Sequence, residues 1–313
     1  MVVLVQRRPA PVAAAANPML DSAANSANYF RRKRFRWPWQ LADTFVSAAA
    51  QLYVGEGRSQ VSAVRTLADI ADASASTPRQ QCVDVLCGYL RLPRTTGRLG
   101  GYDRTVRRTI TAVIAEHLRR GGRRSWSRAT FDFRNAQLDD ADFTDAVFGG
   151  PALFEGANLA GVTRFDGATF SADTHFQDAA FDTAWFREAV FTDSARFFGA
   201  RFARARFDGT TFRGSAQFPL TVFAGEARFH RAAFRGGAYF DSAQFRGNAD
   251  FGAARFTGPA RFDGAAFTVD GSFERARFHD PIPAQQSPAD TAGWFTAPAP
   301  HEVADRMPVA ACR

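Results

Sequence analysis

The 313-residue chain has room for two domains, carries a formal net charge of +8 and holds three cysteines. It contains no run of 18 apolar residues, so a spanning helix is not expected. Cys82, Cys87 and Cys312 are too few and too scattered for a disulfide framework, which suits a reducing compartment. Phe is the anomaly, with 32 Phe against 5 Tyr and 5 Trp. A core drawn from one dominant residue points to a repeated slot.

The charge is unevenly placed. Residues 1–130 net +13, residues 131–280 net −4 and residues 281–313 net −1. In the opening MVVLVQRRPAP the cations follow the apolar run, the reverse of a secretory signal. The expected compartment is therefore the cytoplasm, with peripheral association at the inner face of the membrane as the alternative.

Residues 1–40 read as a disordered basic arm, rich in Ala, Asn, Ser and Pro without periodicity. Within it Arg31, Arg32, Lys33, Arg34 and Arg36 are interleaved with aromatics that include Trp37 and Trp39. One reading is a solvated charge run whose aromatics dock on the next domain. The other is contact with a polyanion, because cations attract phosphates while aromatics insert at a membrane interface or stack on bases. The segment by itself does not separate anionic lipid from nucleic acid.

Residues 41–125 read as a small helical domain. A first apolar stretch is stopped by Gly55 and Gly57. Ser59 is expected to cap a second helix in which Val61, Val64, Leu67, Ala68 and Ala71 share one face. Pro78 is expected to start a third, with Cys82, Val85, Leu86, Tyr89 and Leu90 inward, and Pro93 to end it. A fourth carries Val106, Ile110, Val113, Ile114 and Leu118 on one stripe. The two helical cysteines read as core fillers.

From Phe133 to Phe278 a large apolar residue returns every five or six positions, giving 28 centres, of which 26 are Phe. Two before each stands a small residue, mostly Ala, except before the first centre, where Phe131 stands. Alternate residues of an extended segment face the same way, so the two members of each pair share a side. Written four to a row, the centres form columns. The first holds Phe133, Phe154, Phe176, Phe197, Phe218, Phe240 and Phe262; every step from the fourth column back to it is six residues. The extra residues therefore belong at fixed corners.

The run AARFTGPARFDGAAF, from Ala253 to Phe267, shows the pattern. It resembles the pentapeptide-repeat family. That resemblance implies an α+β multidomain chain: a small N-terminal helical domain, then a right-handed quadrilateral β-helix of about seven coils over residues 126–280. Residues 281–313 read as a disordered Pro-rich tail. The helical block, with EHLRR and then Trp126 before the first repeat, is similar to a group of actinobacterial pentapeptide-repeat proteins.

No catalytic or metal-binding set is expected. His117, His175, His230, His279 and His301 are scattered, and no metalloprotease, Ser/His/Asp or phosphate-loop context surrounds them. No cofactor and no small-molecule substrate is implied. The leading functional expectation is a non-enzymatic scaffold that presents a rigid β-helix to a protein partner. Alternatives are a DNA-mimic inhibitor of an enzyme such as gyrase, a role the resemblance implies for some members, and lipid or nucleic-acid association through residues 31–39. Residues 131–190 net −8 but residues 191–280 net +4, so only half of the rod has the acidic surface that mimicry needs.

Overall fold

The computed structural model describes residues 39–95, 100–122, 124–269 and 271–279. Four helices lead: α1 (Trp39–Val54), α2 (Arg58–Ala73), α3 (Ser76–Leu90) and α4 (Gly100–Leu118). Their apolar stripes meet in one core. Leu52, Val64, Leu67, Cys82, Leu86, Leu90, Val106, Ile110, Ile114 and Leu118 are fully buried. Val61 and Val113 lie at the edge of that core and are only partly buried.

Two helix starts differ from expectation. The residue before α2 is Gly57, and Ser59 sits inside the first turn, its hydroxyl donating to the Glu56 carbonyl at 2.9 Å. A glycine reaches the left-handed conformation needed there, with φ +51, at little cost. Helix α3 begins at Ser76, so Pro78 lies within its first turn, where the missing N–H has no helical partner to lose. That helix ends at Leu90, ahead of Pro93.

One network in the helical core was not legible in the sequence. Arg107 is 2% exposed and donates to Asp103 at 2.8 Å and to the Leu90 and Leu92 carbonyls. The Tyr89 hydroxyl donates to the same Asp103 at 3.1 Å. Arg107 thereby ties the end of α3 to α4, with its charge matched and its donors filled.

The repeat forms a parallel β-solenoid of about seven coils. Each strand pairs with the one a full coil away, so Ala195 lies beside Ala216, Phe202 beside Phe223 and Phe212 beside Phe234. Most strands hold only two residues, because each side of the coil is one repeat wide. The columns stack as the spacing requires. Phe176, Phe197, Phe218 and Phe240 follow one another at ring-centroid separations of 4.7–4.9 Å, their planes within 5° of parallel. Rings of the first and third columns meet edge to face across the interior, as Phe218 and Phe229 do at 5.6 Å and 86°. Both geometries suit the aromatic quadrupole.

The corners explain the irregular steps. After each centre of the first and third columns the chain makes a tight turn. In it the N–H three residues on donates back to the centre's carbonyl, as from Ala200 to Phe197 at 3.0 Å. The residue two past the centre is left-handed. Gly199 (φ 67), Leu220 (φ 55) and Ser242 (φ 55) occupy this place on successive coils. Between the second and third columns, the five-residue steps after Phe181 and Phe202 let one strand run round the corner, as Ala180–Trp185 and Arg201–Arg206 do. The six-residue step after Phe223 breaks it, leaving Val222–Phe223 and Ala227–Arg228 as separate strands, whereas the six-residue step after Leu159 is absorbed as a register shift within the strand Asn158–Arg164.

Candidate interaction surface

The structure has two kinds of surface-building residue: those that join the helices to the first coil and those that decorate the faces of the rod.

At the junction, α3 packs on strand Phe131–Asp132 and α4 on strand Gln137–Asp139. Phe131 fills the slot that Ala holds in most coils, and is fully buried. The larger ring fits because helices, not another coil, lie beneath it. The Gln80 side-chain amide donates to the Thr130 carbonyl and accepts from the Thr130 N–H, both at 2.8 Å. It thus stands in for a neighbouring strand at the open edge. Trp126 is fully buried, stacks on His117 at 4.1 Å and donates its indole N–H to Asp72 at 2.9 Å.

Charge binds the same junction. Arg94 donates to Asp139 at 2.7 Å, Arg108 to Asp140 at 2.6 Å, and Arg91 pairs with Asp132. The hydrogen bond from Arg94 holds the Asp139 carboxyl below its ordinary pKa. Much of the acidity read from the linear charge count is therefore paired within the chain. Cys82 lies beneath this junction in α3, and burial pushes its thiol up to about 12; Cys87, buried in the same way, is also raised. Both remain thiols rather than reactive thiolates.

The centre residues Phe133, Phe154, Phe176, Phe197, Phe218, Phe240 and Phe262 all point inward, Phe262 being the most exposed at 8%. They build the rod and cannot themselves touch a partner. The surface consists of the residues flanking them. On the first face Phe198 and Leu220 are about half exposed at one corner. On the third, the guanidinium carbons of Arg164 and Arg187 lie 4.8 and 4.7 Å from the Trp185 ring. On the fourth, the flanking positions change from Val147, Thr169, Val190 and Thr211 to Arg255 and Arg277 along the rod.

The histidines of the repeat are surface residues. His175 meets Glu155 at 2.9 Å, and His230 lies 3.7 Å from Asp250. Among the described residues no group of three or more His, Cys, Asp or Glu could hold a metal ion, and no helix is long and apolar enough to cross a membrane. Arg31, Arg32, Lys33, Arg34, Arg36 and Trp37 lie outside the described residues. Trp39 begins α1.

A family model described as pentapeptide repeats (9 copies) matches residues 143–188, 154–201, 218–265 and 240–281. No curated protein and no solved structure matches the chain.

Proposed function

We propose that this pentapeptide-repeat protein is a non-enzymatic interaction scaffold whose β-helix presents fixed surface ladders to a protein partner. The observation that carries this reading is the solenoid's construction. Its interior is filled by stacked Phe and the small residues two before them, so the other side chains of a coil stand outward at positions set by the backbone ladder. Such a surface is rigid before binding, and pre-organisation lowers the ordering cost of association.

Mimicry of a nucleic-acid duplex fits less well. Asp132, Asp139 and Asp140 on the first coil are engaged by arginines of the helical domain, and the later coils are net basic.

The test is affinity capture from the native host with the full chain and with four variants, each carrying Glu and Lys substitutions at exposed flanking positions of one face. The scaffold reading expects a specific protein that is lost with one face variant and kept with the other three. A partner retained by all four, or captured equally by the helical domain alone, would overturn it.

A further inference from the structure

The fourth face changes sign along the rod. In the first three coils its segments are 145–150 (DAVFGG), 167–172 (GATFSA) and 188–193 (EAVFTD), with three carboxylates and no arginine. In the last four they are 209–214 (GTTFRG), 231–236 (RAAFRG), 253–258 (AARFTG) and 275–280 (RARFHD), with six arginines and one carboxylate, Asp280, which lies outside the described residues. Linear charge counts hide this, because most acids of those coils lie on other faces.

Arg213, Arg235, Arg255 and Arg277 place one exposed guanidinium on each of four successive coils. None makes an ion pair or side-chain hydrogen bond with a described residue. Arg255 and Arg277 are direct partners in the parallel ladder. Like charges in that relation repel. By contrast Arg187, Arg196, Arg228 and Arg261 on other faces are all paired with carboxylates. Arg201, Arg204 and Arg246 on the second face also lack a carboxylate partner among the described residues, but only the fourth face carries one unpaired arginine on each of four successive coils, a row that an external anion would match.

We infer that these four arginines form the docking face for an acidic patch on a protein partner. The inference rests on the scaffold reading and names the face and the chemistry. The row spans three coil steps, roughly 14 Å at about 4.8 Å each. A duplex or bilayer lying along the rod would run past it over Glu188, Asp193 and Asp145. The face exposes no aromatic side chain on which single-stranded bases could stack. A local cluster of carboxylates has the right extent, and the guanidinium fork matches carboxylate geometry. Self-pairing through this face is disfavoured by area. About 34 Å by 10 Å gives on the order of 350 Å² per copy, against about 800 Å² for a stable interface. A contact of that size suits transient binding to a partner.

The experiment titrates the full chain with a fluorescein-labelled oligo-glutamate peptide, duplex DNA and phosphatidylserine vesicles, at low and physiological salt. Three variants accompany it: R213Q/R235Q/R255Q/R277Q; a control replacing Arg187, Arg196, Arg228 and Arg261 by Gln; and an arm variant replacing the five cations of residues 31–36 by Ser. The inference expects oligo-glutamate to bind the wild type, at least tenfold more weakly to the first variant and within twofold of wild type to the others. Thermal melting of the first variant should be unchanged or raised, since repulsion is relieved. Undiminished binding by that variant, loss confined to the arm variant, or tighter binding of DNA or vesicles through the same four arginines would each overturn it. Any of these would leave the scaffold reading to its own capture test.

Discussion

Each Phe of the rod's middle coils has a ring above, a ring below and edges across the interior, so a truncation there cannot be repaired by local collapse. Phe207 is fully buried between Phe186 and Phe229, at 4.8 and 4.9 Å. Phe207→Ala should cost about 3–5 kcal/mol, read as a lowered midpoint in chemical denaturation. Thr residues in the Ala slots show how little room remains. Thr210 and Thr221 are accommodated by donating to the Phe186 and Phe197 carbonyls of the coil before, at 2.6 and 2.7 Å. The left-handed corners were not foreseen, although their signal is present in the sequence: Gly, Asn or Asp recurs two residues past many first- and third-column centres. Leu220 breaks that pattern, being left-handed, β-carbon-bearing and half exposed. Leu220→Gly should stabilise by roughly 0.5–1 kcal/mol, the left-handed penalty less the glycine's extra chain entropy, and should raise the melting temperature.

At the scale of elements, the repeat was legible because each coil restates the same rule, and its column assignments reappear in the strand register. The helices were legible from their stripes but not in their starts, where Gly57 and Ser76 depend on loop geometry that no periodicity records. The junction was opaque for a different reason. Gln80, Arg91, Arg94 and Arg108 look like ordinary polar residues of a helix or loop until the first coil is placed beside them. Their pairing has a pH signature. Arg94 holds the Asp139 carboxyl below its usual value, so the folded pKa is depressed. Such a group contributes stability that is fully present above its unfolded pKa of about 3.9 and is lost as pH falls through the folded value. Lowering pH below about 4 should therefore loosen the contact between α4 and the first coil. Hydrogen exchange should accelerate at residues 137–140 before it does in the middle coils. Equal protection throughout the acid titration would show that these ion pairs do not hold the junction.

At the scale of the whole molecule, the helical domain closes one end of a stack of parallel strands. An uncovered strand edge is a template for further pairing. Removing residues 1–125 should expose Phe131, Trp126 and the edge beside Thr130, and produce aggregates visible by light scattering; a monodisperse, monomeric fragment would contradict the capping role. The candidate surface was the least legible part in sequence. Function in a solenoid lies in which side chains share a face, and sequence order mixes the faces every five residues. The acid-rich front and basic back seen in the linear count are real, but the front is partly consumed by the cap, and on the back only the fourth face carries an unpaired arginine on every coil.

The central claim is that this rod works by presenting one built face to a protein. Site-specific photocrosslinking in the native host addresses it most directly, with the crosslinking residue placed in turn at Gln217, Val222, Arg228 and Arg235, one on each face of the fifth coil. The account predicts a discrete protein adduct from Arg235 and little or none from the other three. Adducts spread evenly over the four positions, or none at any of them, would contradict it.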